Sequence, residues 1–410
     1  MESYRNVAAI VICLTIIQAA LGALSMIGPL SLASYGASVL DIGLVATAYS
    51  GGFLVAVRFA PGEVGRIGHI RSICAFAAVA AVAASGLGWS ENIIWWAAAH
   101  ALLGASAAGL FAAGESWIAS SAAPERRGSV LSFYFILTRV GFLAGPFLGS
   151  SLPAGDTRGF LLVVMLLAAA LIPVAATRRG APQISGIKPI SMRAVWATAP
   201  AALLAALVAG LINGAVRQLY PVFAADISPD DAAGFAAAFN GALYIGAILL
   251  QWPAGFASDK VDRRLAIAVL GGVAAVTSLG LALFAAVLPG AGILTLAFLW
   301  GGTSMSIYGI AVAHASDRAD IREIPGLMST ILLIWAAGSM LGPLLGGAAM
   351  QVTGASGLFY ICTLILSGLV IAMILRRRLE APVAAADKSE FSVTPPTSAE
   401  TAEINPMADD

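Results

Sequence analysis

The sequence predicts an all-α membrane protein whose twelve transmembrane helices form two pseudo-symmetric six-helix bundles. Three observations predict it: apolar stretches long enough to cross a bilayer, lysines and arginines confined to alternate loops, and patterns that recur in both halves of the chain. Of the 410 residues, 59% are hydrophobic and only 11% are charged. A soluble domain is about one-quarter charged, so we expect lipid rather than water around most of this chain.

Twelve apolar stretches are long enough to span a membrane, because about 20 apolar residues in a helix cross the hydrocarbon core of about 30 Å. They begin near residues 7, 39, 72, 93, 129, 159, 197, 234, 265, 291, 326 and 354. Turn-forming sequences such as Tyr35-Gly36 and Pro289-Gly290 separate them. Each half of the chain therefore contains six spans.

Lysine and arginine lie almost entirely on one side of these spans. Outside the spans, only Arg158 falls in an odd-numbered loop, and the others lie in even-numbered loops or near the two ends. The positive-inside rule then places both termini of this multi-pass protein in the cytoplasm. Lys+Arg and Asp+Glu both total 22, so a nucleic-acid partner is not expected.

The longest charged connection divides the spans six and six. Residues 1–177 are expected to form an N-terminal bundle, residues 178–196 a proline-containing cytoplasmic linker, and residues 197–378 a C-terminal bundle. Residues 379–410 are polar and acidic with little hydrophobic patterning, which predicts a disordered cytoplasmic tail.

Two patterns recur at nearly the same distance along the chain. The charged loop after span 2 matches the loop after span 8 when Arg66 is placed on Lys260, an offset of 260 − 66 = 194 residues. A Gly-x-x-x-Gly-Pro-x-x-Gly pattern starts at Gly141 in span 5 and at Gly338 in span 11, an offset of 338 − 141 = 197 residues. Two matches with nearly one offset predict a parallel repeat of six spans.

These loops resemble the signature loops of the major facilitator superfamily, and the resemblance covers nearly the whole chain apart from the tail. The family pattern G-x-x-x-D-R/K-x-G-R-R/K is better kept after span 8 than after span 2, where Pro61 and Gly65 replace the glycine and the aspartate. The resemblance implies that two bundles work by alternating access, with a cytoplasmic gate at these loops. The gate residues that it implies are Arg66, Gly68, Arg71, Gly255, Asp259, Lys260, Arg263, Arg264, His314, Asp317 and Arg318.

The glycine pattern of span 5 resembles the antiporter motif of the family, which favours export, and it recurs in span 11. The residues expected to bend these helices and to allow close approach are Gly141, Gly145, Pro146, Gly149, Gly338, Gly342, Pro343 and Gly346. The segments Gly114-Glu115-Ser116-Trp117 and Ala313-His314-Ala315-Ser316-Asp317-Arg318 resemble a bacterial branch of permeases whose substrates are largely unassigned. This resemblance implies a monomer in a bacterial inner membrane.

Charged side chains inside the spans are candidates for a transport site, because a charge in the bilayer costs about 2.5 kcal/mol or more unless it faces a cavity or a partner. Arg139 in span 5 is either a substrate or coupling residue or half of a structural ion pair. Glu115 in span 4 has three open interpretations: a latch to Arg66 or Arg71, a protonatable coupling group, or a partner of Arg139.

Further candidates are an arginine, a histidine and three polar residues. Arg217 in span 7 either lines a cavity, where it would favour an anionic substrate, or is solvated at the outer interface. His100 in span 4 is either a titratable coupling residue or a hydrogen-bonded packing residue. The polar candidates, which either face the cavity or bond neighbouring helices, are Asn213, Asn240 and Tyr244.

The sequence as a whole predicts a secondary active transporter that moves a small molecule by alternating access, coupled to protons, with export favoured. The alternative is uptake or exchange of an organic anion, and a non-transporting membrane sensor is a third hypothesis. No P-loop, hydrolase or metal-ligand pattern occurs, so we expect neither an enzyme nor a cofactor or metal site.

Overall fold

The structure, a computed structural model, describes residues 2–121, 127–176, 195–196, 198–319 and 324–379. These residues form helices and loops without strands, and twelve helical segments are long and apolar enough to cross a membrane. The predicted all-α class and the twelve spans are confirmed, and each predicted start lies within five residues of an observed helix start. The predicted tail from residue 380 onward and the predicted linker up to residue 194 lie outside the described residues.

The chain divides into two units, and each is a bundle of long helices. The first unit contains α1 (Glu2–Ser34), α2 (Val39–Ile67), α3 (His69–Gly86), α4 (Ile93–Ser121), α5 (Arg127–Gly149) and α6 (Thr157–Ala175). The second contains α7 (Pro200–Ile227), α8 (Ala232–Lys260), α9 (Arg263–Phe284), α10 (Gly290–Ser304), α11 (Ser306–Ser316), α12 (Ile324–Thr353) and α13 (Gly357–Leu379), with one 3-10 turn at Pro229–Asp231. Span 10 is interrupted at Met305 and comprises α10 and α11, so α12 and α13 are spans 11 and 12.

Short loop sequences fix several helix ends. Ser38 caps α2, because its hydroxyl accepts a hydrogen bond from the Asp41 amide and the Asp41 carboxylate accepts one from the Ser38 amide. Only Gly68 separates α2 from α3, and its φ of +85° is a conformation that favours glycine. Asp262 caps α9 by accepting from the Arg264 amide.

The two units repeat the same helix pairing. In the first unit α1 packs against α5, α2 against α4, and α3 against α6. In the second unit α7 packs against α12, α8 against α10, and α9 against α13. The pairs correspond when α1 is placed on α7, so the repeat seen in the sequence is also a repeat of helix packing.

The recurrent glycine pattern forms helix contacts inside each unit. A Cβ atom added at Gly145 would collide with the backbone of α1, and one added at Gly342 would collide with the backbone of α7. Small residues allow such close backbone approach in membrane proteins. The pattern therefore serves packing within a unit, and the helices that carry it continue through Pro146 and Pro343.

Replacing Gly342 by valine is expected to destabilise the protein, because the new side chain would occupy space that the α7 backbone fills. Overpacking of this kind costs about 1–3 kcal/mol. Gly272→Val is the matched control, since Gly272 also lies inside a helix but a Cβ there meets no atom within 4 Å. Thermal unfolding of the purified variants in detergent measures the effect, and equal Tm values for the two would contradict this packing role.

Candidate functional site

Two buried titratable side chains lie near the two ends of α4. His100 is 7% exposed and lies seven residues after Ile93, whereas Glu115 is fully buried and lies six residues before Ser121. They are 115 − 100 = 15 residues apart, which corresponds to about 22 Å along a helix axis. Both were predicted from the sequence, and the structure places them inside the first unit.

His100 is held in one orientation by its own helix. Its Nδ1 lies 3.1 Å from the Trp96 carbonyl oxygen, so Nδ1 carries a hydrogen and donates it. The two rings stack with their centroids 5.6 Å apart. Nε2 is then the basic nitrogen of the neutral ring, and it lies beside Gly28 of α1, 3.7 Å from where a Cβ would stand.

Glu115 bonds across to α5, where the Tyr134 hydroxyl donates a hydrogen bond of 3.0 Å to Oε1. Arg66, predicted as a latch for this acid, instead pairs with Glu63 at 2.6 Å on the exposed surface of α2. A partner three residues away on one helix is reached at less entropic cost than a partner on another helix. The predicted Arg66–Glu115 pair is therefore not formed, and Arg71, the other predicted partner, is exposed.

A second polar contact beside Glu115 was missed by the sequence analysis. His69 Nε2 lies 3.0 Å from the Ser116 Oγ, and both side chains are buried. Because the Ser116 hydroxyl donates its own hydrogen to the Ala112 carbonyl, its oxygen accepts from His69. The contact ties α3 to α4. The available signal was a histidine in the first turn of an apolar helix, directly after Gly68.

Arg139 lies half-buried in α5, five residues after Tyr134. Five residues turn a helix by about 140°, so the two side chains leave α5 in different directions. Arg139 takes part in an interaction within the chain and is not a free cation.

The second unit has a polar strip on α7. α7 packs against α8, α10, α11, α12 and α13. Between Pro200 and Ala225, its half-buried residues form two strips on roughly opposite sides, because each residue turns the helix by about 100°. One strip consists of Asn213 and Arg217, and the other is apolar: Leu204, Leu207, Val208, Leu211, Val222 and Ala225.

Asn213 and Arg217 differ in what they contact. The Ser304 hydroxyl donates to Asn213 Oδ1 at 3.1 Å, and Asn213 Nδ2 lies 3.4 Å from the Ser304 carbonyl oxygen, beside the interruption at Met305. Arg217, one turn further along α7, has no hydrogen bond or ion pair within the part of the chain that the structure describes. A cation at this depth requires water or a ligand.

The other two polar candidates lie one turn apart on α8. Asn240 is 1% exposed, and its Nδ2 has no hydrogen-bond partner among the described residues. Tyr244 is half-buried and takes part in an interaction within the chain.

Buried ion pairs tie together several helix ends of the second unit. The Arg263 guanidinium bonds both oxygens of Asp317, at 2.5 and 3.3 Å, and both side chains are 1% exposed. Arg263 also bonds Asp259 at 2.9 Å and the Ser258 hydroxyl at 3.2 Å. These contacts join the end of α8, the start of α9 and the end of α11.

Arg264 extends this cluster to α13. It bonds Asp262 through two nitrogens and the Arg376 carbonyl oxygen at 3.1 Å. Burial alone would raise the pKa of Asp262, but the hydrogen bonds from Arg264 outweigh it and hold this pKa below its usual value. His314 is buried beside the cluster, and Lys260 lies over the Phe256 ring.

The two predicted gate loops therefore differ. The structure brings Asp259, Arg263 and Asp317 together, as the sequence analysis grouped them, but leaves Arg66 and Arg71 at the surface. Asp262 was missed, although an aspartate directly before an apolar helix is a known capping signal.

Twelve membrane-crossing helices in two repeated units, with charged side chains inside them, define a multi-pass membrane carrier. The profile of the Major Facilitator Superfamily matches residues 10–323 and 244–405, and the chain belongs to this family. It is therefore a transporter of a small molecule and not an enzyme.

Relatives and solved structures agree with this family. The chain is 25% identical over 386 residues to the Uncharacterized MFS-type transporter YcaD of Salmonella typhimurium, which covers 93% of this chain and 98% of that protein. Its fold is similar to the nucleoside transporter NupG, with a TM-score of 0.74 at 12% identity over 90% of this chain and 98% of that one. It is also similar to a bacterial homolog of the human lysosomal transporter Spinster, with a TM-score of 0.74 at 13% identity over 94% and 98%.

Arg263→Met is expected to destabilise the protein by about 3–5 kcal/mol, because the buried Asp317 carboxylate would lose its two bonds from the guanidinium. Arg66→Met is the control, and its exposed pair is worth at most about 1 kcal/mol. The double variant R263M/D317N is expected to recover part of the loss. Thermal unfolding in detergent tests this, and similar losses for both single variants would contradict a buried network.

Proposed function

We propose that this chain is a proton-coupled secondary transporter that moves a small molecule by alternating access. The observation that supports it is the pair of buried titratable groups on α4, His100 and Glu115, near opposite ends of one helix. Ionisable groups inside a membrane protein are costly and generally serve ion pathways or substrate sites. A proton taken up by either group changes its charge within the membrane.

Glu115 can convert its protonation into a change of helix contact. An ionised carboxylate accepts a stronger hydrogen bond from the Tyr134 hydroxyl than a neutral carboxyl group does. Protonation therefore weakens the bond that joins α4 to α5, and loss of the proton strengthens it. This dependence gives the proton a means of biasing the arrangement of helices during a transport cycle.

The ion-pair cluster of the second unit joins several helix ends, as expected for a group of helices that moves as one rigid body. Arg263 and Arg264 together bond residues of α8, α9, α11 and α13. Because breaking such buried pairs is costly, these helix ends are expected to stay together while the unit moves. We propose that they form the cytoplasmic gate of this unit, with both chain termini in the cytoplasm of a bacterial cell.

Export is the proposed direction, on the resemblance of the Gly141–Gly149 pattern to an antiporter motif. The same pattern in α12 packs in the same way. Uptake or exchange of an organic anion is the second candidate, supported by Arg217 on the polar strip of α7. Guanidinium groups bind carboxylates with paired hydrogen bonds.

Proton coupling is tested in proteoliposomes that enclose a pH-sensitive dye. Nucleosides, aromatic carboxylates and amphipathic cations are added outside, nucleosides being included because NupG is a nucleoside transporter. At least one compound is expected to change the internal pH with the wild-type protein and not in protein-free vesicles. Internal acidification would indicate co-transport with protons, and internal alkalinisation would indicate exchange.

Glu115→Gln is expected to reduce this proton movement at least tenfold, because the amide keeps the shape of the side chain but cannot release a proton. Glu63→Gln removes an exposed carboxylate at the surface of α2 and is the matched control. Coupling is ruled out if labelled substrate moves through the wild-type protein at rates that do not respond to an imposed pH gradient. If Glu115→Gln moves protons at the wild-type rate, the coupling role proposed for Glu115 is contradicted and another group carries the proton.

A further inference from the structure

We propose that the second unit contains a binding site for an organic anion that carries a flat ring. The site runs along α7 from the Tyr308–Trp335 ring pair, past Asn213, to Arg217. This proposal gives the substrate class of the transporter proposed above. Only the transport of the bound anion rests on that proposed function.

The cation end of the site is Arg217. It lies ten residues before Ile227, the last residue of α7, which corresponds to about 15 Å along the axis. α7 is packed by five other helices, and none of its residues from Pro200 to Ala225 is fully exposed. The half-buried Arg217 is therefore partly covered by the protein, and an arginine without a partner among the described residues is prepared to bind an anion.

The middle of the site is the Asn213 amide. Its oxygen accepts from the Ser304 hydroxyl, which fixes the orientation of the side chain. The amide nitrogen has two hydrogens and one long contact of 3.4 Å to the Ser304 carbonyl oxygen. At least one hydrogen thus remains for a polar atom of a ligand.

The ring end of the site is formed by Tyr308 and Trp335, whose ring centroids lie 6.1 Å apart at an angle of 65°. Tyr308 follows Ser304 by four residues, and Met305 between them keeps helical backbone angles, so both side chains lie on one side of span 10. Trp335 is half-buried, and its carbonyl oxygen lies against Gly210 of α7. Such an edge-to-face pair leaves aromatic surface for a further ring.

The order of these groups along α7 defines the shape of the ligand. Gly210, beside Trp335, precedes Asn213 by three residues and Arg217 by seven, which is about 10 Å along the axis. A guanidinium on its flexible side chain spans part of this distance. The matching ligand is an aryl group joined by a short chain to a carboxylate.

The test uses the purified full chain in phosphatidylcholine nanodiscs and two probes of nearly equal size, 4-phenylbutyrate and its neutral amide. Calorimetric titration is expected to show the carboxylate binding about ten- to a hundredfold more tightly, as a charge-assisted hydrogen-bond pair predicts. Arg217→Gln is expected to abolish this preference, and Arg217→Lys to retain part of it. Arg158→Gln, at an exposed pair at the start of α6 in the first unit, is the matched control.

Trp335→Ala is expected to weaken both probes by a similar factor, because it removes the ring surface and not the charge. Equal affinity of carboxylate and amide in the wild type, no binding of either, or an unchanged preference in Arg217→Gln would overturn the proposal. If the Tm of Arg217→Gln differs from that of the wild type, the comparison is made with Arg217→Lys instead.

The experiments test the binding site and the transport function independently. The titration needs neither a proton gradient nor flux, so a preference that depends on Arg217 would stand even if no proton movement were measured in proteoliposomes. If the proton-coupled flux of a compound is unchanged in Arg217→Gln, the proposed function stands and this binding site is contradicted.

Discussion

Lipid offers no hydrogen bonds, so each polar group inside the membrane has to find its partner in the protein or in enclosed water. Helical backbone meets this constraint for the main chain. For side chains it is met by specific contacts: Arg263 by two carboxylates, Glu115 by the Tyr134 hydroxyl, and His69 by Ser116. Arg217 is a cation for which the described part of the chain supplies no such contact, so water or a ligand has to take that place.

The same constraint explains why the fold could be predicted so fully. A helix that crosses hydrocarbon must be apolar along about 20 consecutive residues, which is a local property of sequence. The repeat was visible for a related reason, because positions where two helix backbones touch accept little besides glycine. Gly145 and Gly342 lie at corresponding contacts in the two units.

The partners of polar groups could be predicted only where they are near in sequence or repeat a known pattern. The resemblance to the family placed Asp259, Arg263 and Asp317 among the gate residues, and Arg263 pairs with both carboxylates. The choice of Glu115 between Arg66 and Tyr134 depends on how α2, α4 and α5 turn about their axes, and span boundaries do not specify that rotation. Hydroxyl groups such as Tyr134 also carry no distinctive sequence signal, since they occur throughout apolar helices.

Comparison of the two units separates side chains needed for packing from those that are not. Glycine contacts align α4 with α10 and α5 with α12 at an offset of 197 residues, and α1 with α7 at 211 − 19 = 192 residues. At these offsets His100, Glu115, Arg139 and Arg217 match uncharged residues in the other copy, namely Ala297, Val312, Ala336 and Ser25. Because the same helix pairs form with and without these charges, packing does not require them. Their cost within the membrane therefore argues for function, with titratable groups in the first unit and the proposed anion site in the second.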